Sequence, residues 1–163
     1  MNDIEGIANY MREHRLLLVT AESCTSGLIA ATLADVPGAG ELLDCAFVTY
    51  SVQAKQRCLD VNELTILRHN LTSEPVAREM AVGALARSRA NVAISNTGVV
   101  DDTDSEVPAG TQCFAWAFRS QSVPEGVAVF SGTHRFEGDR VAIRQQSAEF
   151  ALRQIPQYHA QHR

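Results

Sequence analysis

Leu16-Leu17-Leu18-Val19, then Thr20-Ala21-Glu22-Ser23-Cys24-Thr25-Ser26-Gly27, then Leu28 to Ala34, is the stretch that decides the fold class. The first four residues form a continuous apolar run, the pattern of a parallel strand covered on both faces. Small and hydroxyl residues follow, as in a strand-to-helix turn. Leu28 to Ala34 resumes helical character until Val36-Pro37-Gly38 stops it. A strand buried on both faces needs helices above and below it, so an α/β fold is expected.

Upstream, Ile4, Ile7, Ala8 and Met11 have helical spacing. Downstream, Ala46 to Tyr50 is β-rich, and Ser51 caps a helix expected from Val52 to about Cys58. A short helix is expected at Asn62 to Arg68. Ser73-Glu74-Pro75 opens a longer one that runs to about Arg89, with Pro75 inside its first turn. Val92-Ala93-Ile94 starts a third strand that ends at Asn96-Thr97-Gly98. Residues 101–110 form a polar, acidic loop. Gln112 to Phe118 and Gly126 to Phe136 read as an antiparallel strand pair, and Gly138-Asp139 precedes a final helix to about Gln154. Together these give a three-layer α/β/α sandwich with a mixed, mostly parallel sheet. Residues 1–163 read as a single domain, with a polar tail from about 155.

Bulk composition agrees. The chain has 163 residues, suited to one core, with 45% apolar and 20% charged residues. A net charge of −5 disfavours nonspecific nucleic-acid binding, which needs a basic face. No apolar run is long enough to span a membrane. Cys24, Cys45, Cys58 and Cys113 form no CxxC pair or zinc-type cluster. No signal peptide is evident, so the thiols read as reduced and the protein as cytoplasmic.

Three places have the residue types for chemistry. In the turn after Val19, Ser23 or Cys24 sits where a nucleophile would be exposed, with helix N–H groups near by for an oxyanion. The alternative is that Ser23 or Thr25 merely caps the helix. In Tyr50-Ser51-Val52-Gln53-Ala54-Lys55, a lysine of lowered pKa would serve a serine as general base; otherwise it is a solvated surface lysine. The carboxylates of Asp101, Asp102, Asp104 and Glu106 suit Mg²⁺ or Ca²⁺ chemically, but lack the EF-hand pattern, and a solvated loop is the expectation, with no metal. The five histidines are scattered and receive no role.

In this order the pieces resemble the CinA C-terminal domain family, the PncC-type nicotinamide-nucleotide amidases. The family's T-A-E-S-C-T-G-G-L stands here as Thr20 to Leu28, and its V-x-Y-S-N-x-x-K as Val48 to Lys55. Val36-Pro37-Gly38-Ala39, Val76 to Ala84, Thr97-Gly98 and Phe136-Glu137-Gly138-Asp139-Arg140 also match, so the likeness covers nearly the whole chain. The resemblance implies hydrolysis of nicotinamide mononucleotide to nicotinic acid mononucleotide and ammonia. It implies Ser23 as nucleophile, Lys55 as its base and Tyr50 in proton transfer or orientation. Thr25, Ser26, Gly27, Thr97 and Gly98 are the implied substrate contacts. It implies no metal or organic cofactor, a small-molecule mononucleotide as ligand, and a homo-oligomer without the larger N-terminal domain of some relatives.

The chain departs from the family pattern at Ser26, which replaces a glycine, at Val52, which replaces an asparagine, and at Asp44-Cys45, which replaces two glycines. The largest departure is Val99 to Thr111, acidic where the family has a glycine-rich loop. Negative charge there opposes an anionic mononucleotide. Three readings therefore stand: the family's amidase with an altered loop, an amidase for another substrate, and a catalytically silent domain that binds a ligand or a protein.

Overall fold

The computed structural model describes residues 3–162. Five strands form one sheet in the order β2-β1-β3-β4-β5. They are β1 (Leu18–Glu22), β2 (Leu43–Val48), β3 (Val92–Gly98), β4 (Thr111–Arg119) and β5 (Val127–Arg135). β1 pairs in parallel with β2 and β3, while β4 runs antiparallel to both β3 and β5. The sheet is mixed, as expected, with helices on both faces.

The helices are α1 (Asp3–Glu13), α2 (Leu28–Ala34), α3 (Val52–Leu59), α4 (Glu63–His69), α5 (Glu74–Ala86), α6 (Arg140–Arg153) and α7 (Ile155–His162). Alternation along the strands assigns them to layers. On β4, Phe114, Trp116 and Phe118 point to one face and pack with α1, α2, α6 and α7. Cys113, Ala115 and Ala117 point to the other, where α5 brings Ala77, Ala81 and Ala84. Large side chains thus fill the first layer, and small ones let α5 lie close on the second. α5 also meets α3 closely: a Cβ on Gly83 would fall 2.0 Å from the Leu59 carbonyl oxygen. Only glycine fits, and this contact fixes α3, which carries Lys55.

Some boundaries differ from expectation. β1 begins at Leu18, because Leu17 N–H donates to Asn91 Oδ1 at 2.8 Å and Arg15 turns the chain at φ 54. α5 stops at Ala86, and Arg89 N–H goes to Asp44 Oδ2 at 3.0 Å. The expected polar tail is instead helix α7. Its Ile155 and His159 are buried, and His159 Nδ1 shares a 2.8 Å hydrogen bond with Tyr10 Oη. The tail has enough buried contact to fold, which its many polar residues conceal. Among the described residues, no helix is long and apolar enough to cross a membrane.

Candidate active site

From β1 the chain passes to β2 on one side and returns to β3 on the other. The crevice beyond the carboxyl ends of β1 and β3 is thus a topological switch point, where α/β sheets bind ligands. Ser23 follows the last residue of β1, and Gly98 is the last residue of β3.

The turn at Ser23 is held from below by Glu22. All five β1 residues are buried, and Glu22 has no exposed surface. Its Oε1 accepts from Thr25 Oγ1 (2.7 Å), Gly27 N–H (3.1 Å) and Ile29 N–H (2.8 Å), and its Oε2 from Ala30 N–H (3.1 Å). A carboxylate at the start of α2 satisfies the orphan N–H groups there and complements the helix dipole. Neither Ser23 nor Thr25 caps α2. Its N-cap is Gly27, with no side-chain cap bond.

A second buried pair locks the turn from the β3 side. Asn96 Oδ1 accepts from Thr25 N–H at 3.0 Å, and Asn96 Nδ2 donates to Gln112 Oε1 at 2.8 Å. Gln112 Nε2 donates to Cys24 Sγ at 3.4 Å and to the Val99 carbonyl at 3.2 Å. Gln112 lies over Gly98, where a Cβ would meet its amide at 2.2 Å.

Lys55 reaches the same point from α3. Ser51 caps that helix, its Oγ accepting from Ala54 N–H at 3.0 Å. Lys55 has no exposed surface, and its Nζ lies 2.9 Å from Ser23 Oγ, 2.7 Å from the Thr49 carbonyl and 3.1 Å from the Tyr50 carbonyl. Among the described residues no carboxylate pairs with it. Burial disfavours the ammonium and brings its pKa down to about 8. A neutral amine has two N–H bonds and one lone pair. The two carbonyls take the N–H bonds, which leaves the lone pair facing the Ser23 hydroxyl.

The structure thus brings Ser23 and Lys55 together. Tyr50 contributes its carbonyl to Lys55, while its ring is 59% exposed and lines the cleft. No hydrogen bond joins its phenol to either residue. Cys24 is 5% exposed, and burial pushes its thiol pKa up, so it stays protonated and has no base beside it.

One expectation about the turn needs correction. The amides of Thr25, Ser26 and Gly27 do not face an oxyanion. They go to Asn96 Oδ1, the Ser23 carbonyl (3.0 Å) and Glu22 Oε1. Among the described residues, Cys24 N–H is the amide of this turn that no protein group accepts. Gly98 adds a second donor direction. Val99 N–H bonds Thr111 O across to β4, so the odd residues of β3 serve β4 and Gly98 N–H points toward β1, beyond that strand's end. Thr97 is 2% exposed, and its Oγ1 donates to the Leu71 carbonyl at 3.2 Å.

The cleft over Ser23 holds about 470 Å³, with Cys24, Tyr50, Thr97, Gly98 and Asp104 among its walls. Arg144 of α6 holds the turn from above, Nε donating to the Cys24 carbonyl at 3.0 Å and a terminal nitrogen to that of Thr25 at 3.4 Å. The acidic loop is tied to protein partners. Asp101 pairs with Arg140, and Asp104 accepts from Asn70 Nδ2 at 3.1 Å and Glu106 N–H at 2.8 Å. Hydrogen bonds to its carboxylate hold the Asp104 pKa below the usual range. Among the described residues, no group of three or more His, Cys, Asp or Glu is placed to hold a metal ion. A second groove of about 360 Å³, between α5 and β5 around Val82 and Gly83, shares no residue with the Ser23 cleft and has no Ser, Thr, Cys or Lys in its walls.

Sequence reasoning missed Glu22, Asn96 and Gln112. The available signal was a carboxylate ending an apolar strand, ahead of a helix with no Ser, Asp or Asn immediately before it.

Comparisons with known proteins agree with this architecture. The model of the CinA C-terminal domain family matches residues 3–159. The nicotinamide-nucleotide amidohydrolase PncC of Escherichia coli (strain K12) is 37% identical over 155 residues, 93% of this chain and 89% of that protein. A CinA-like protein of Chlorobium limicola is 36% identical over 94% of this chain, which spans only 36% of that protein's length; a Symbiobacterium thermophilum relative gives a similar 37%. Among solved structures, a competence-damaged protein (CinA) superfamily protein from Klebsiella pneumoniae superposes with a TM-score of 0.87 at 32% identity, covering 99% of both chains.

Proposed function

The chain belongs to the CinA C-terminal domain family, and we propose that it is a serine amide hydrolase converting nicotinamide mononucleotide to nicotinic acid mononucleotide and ammonia. The observation that carries this reading is the buried Lys55 amine, 2.9 Å from Ser23 Oγ with its other two hydrogen-bond directions filled by carbonyls. The 37% identity to a nicotinamide-nucleotide amidohydrolase supports the substrate class.

In the reaction, Lys55 Nζ takes the Ser23 proton as Oγ attacks the carboxamide carbon. The carbonyl electrons move to oxygen, and the resulting oxyanion is met by Cys24 N–H, with Gly98 N–H on the far side. The Lys55 ammonium then returns its proton to the leaving nitrogen, the C–N bond breaks and ammonia departs. Water, deprotonated by Lys55, attacks the serine ester; the C–Oγ bond breaks, Lys55 returns the proton to Ser23 Oγ, and the acid leaves. The Tyr50 ring forms one wall for the pyridine. This chemistry calls for no metal or organic cofactor. The same reading makes the protein a cytoplasmic homo-oligomer.

A silent binding domain fits less well. Burying a lysine amine without a carboxylate is costly, and binding alone has no use for it. The deciding experiment is ammonia release from nicotinamide mononucleotide by the protein and by Ser23→Ala. Release that falls at least about a thousandfold in the variant supports the reading. Equal release from both, or none from either, overturns it.

A further inference from the structure

We propose that Asp101 sets substrate specificity: it is an anion built into the protein, seated on Arg140 at the edge of the cleft, that a substrate's anionic group must displace. The proposal rests on the amidase reading for its substrate and on the Asp101–Arg140 contact for its mechanism.

Arg140 is the first residue of α6, and Asp139 fixes that start by accepting from Ala142 N–H at 2.8 Å. Its side chain lines a recess of about 160 Å³ with Asp101, Tyr50, Cys24 and Gly98, and the last three also wall the Ser23 cleft. A ligand held over Ser23 therefore extends naturally to Arg140. The other α6 cation near by, Arg144, is spent on the carbonyls of Cys24 and Thr25. Arg140 is spent on Asp101 alone among the carboxylates.

The pair is exposed, at 51% for Arg140 and 55% for Asp101. Ion pairs so exposed are weak, so Asp101 competes without closing the site. A phosphate monoester, with more charge and three acceptor oxygens, takes the guanidinium from a single carboxylate. A substrate without an anionic group meets a neutral pair and displaces nothing. Asp101 thereby narrows the preference for a phosphorylated amide over its unphosphorylated nucleoside.

The test is Asp101→Asn, which keeps size and removes charge. KM and kcat are measured for nicotinamide mononucleotide and for the corresponding nucleoside. The expected result is a KM about fivefold lower for the nucleotide, with kcat unchanged and the nucleoside constants unmoved. Calorimetric titration with inorganic phosphate tests the same contact without turnover. Asp101→Asn should bind phosphate about fivefold tighter than the unaltered protein, and Asp101 should lose its influence once Arg140→Gln is present. If the protein releases no ammonia yet the phosphate result holds, the amidase reading fails and the role of Asp101 stands. Equal phosphate affinity with and without Asp101 overturns the proposal, as does a KM shift equally large for the nucleoside.

Discussion

Two segments face each other across the cleft, and they are held in opposite ways. In the turn at residues 23–27, Thr25, Ser26 and Gly27 give their amides to protein acceptors, and the Glu22 and Asn96 side chains that receive two of them are buried. In the loop at 99–110, Asp101 and Asp104 reach their partners at the surface. The first arrangement fixes the nucleophile's turn on buried side chains, and removing Glu22 or Asn96 leaves buried polar groups unpaired. The second sets charge at the rim, where residues exchange at little cost to the fold. The departures from the family pattern concentrate in the second segment, while Ser23 of the first and its partner Lys55 on α3 are kept. Chemistry and selectivity are therefore separable here, and each can be perturbed alone.

The sharpest way to break that separation is at Lys55. Lys55→Arg keeps the positive charge but cannot deprotonate. Ammonia release should fall about a thousandfold if Lys55 is the base, and Lys55→Met, which keeps an unbranched buried side chain without the amine, should match it. A variant that folds, judged by a cooperative thermal melt, and retains activity would make Lys55 a structural cation. The same assignment fixes a pH profile. The base works only as the neutral amine, so kcat/KM should rise with pH to a plateau above a midpoint near 8. Below that midpoint it should fall about tenfold per unit. A flat profile between pH 6 and 9 would remove Lys55 from the proton path.

How much of this was legible in the chain follows the same division. The run at Leu16 to Val19 and the alternation at Gln112 to Phe118 disclose strands, because burial on two faces leaves a sequence pattern. The Ser51 and Ser73 caps were readable because a cap acts on its own helix. Ser23 and Lys55 are 32 residues apart, and their 2.9 Å approach depends on β2 lying beside β1. No local pattern encodes that, so only the family likeness pointed to it. Glu22, Asn96 and Gln112 were hidden for the same reason: each is an ordinary polar residue until pairing with β3 and β4 brings them together. The tail was misread because Ile155 and His159 are few among polar neighbours, yet both are buried.

Glu22→Gln probes the fixed half of the site through stability. Its amide nitrogen cannot accept the N–H bond now made to Oε2 or Oε1, so at least one buried donor is left unpaired. The expected cost is about 2 kcal/mol, seen as a Tm lower by roughly 4–8 °C for a chain of this size. The Ser23 turn should loosen with it, lowering kcat more than it changes KM. An unchanged Tm would mean that the start of α2 does not depend on this carboxylate, and the proposed rigidity of the turn would be lost.

The smallest effect is expected at Ser26, the one member of the turn that departs from the family pattern. It is exposed and sits at φ 51, a left-handed conformation that costs a side chain about 1 kcal/mol or more. Ser26→Gly relieves that strain but adds chain entropy to the unfolded state. The balance should be a gain of about 0.5 kcal/mol, a Tm higher by roughly 1–2 °C. Calorimetry resolves a shift of that size. A rise assigns Ser26 to the freely exchanged surface, beside the acidic loop, although it lies three residues from the nucleophile. A fall would mean that its side chain contributes to holding the turn, and the boundary between the fixed and variable halves would then lie outside residue 26 rather than within the turn.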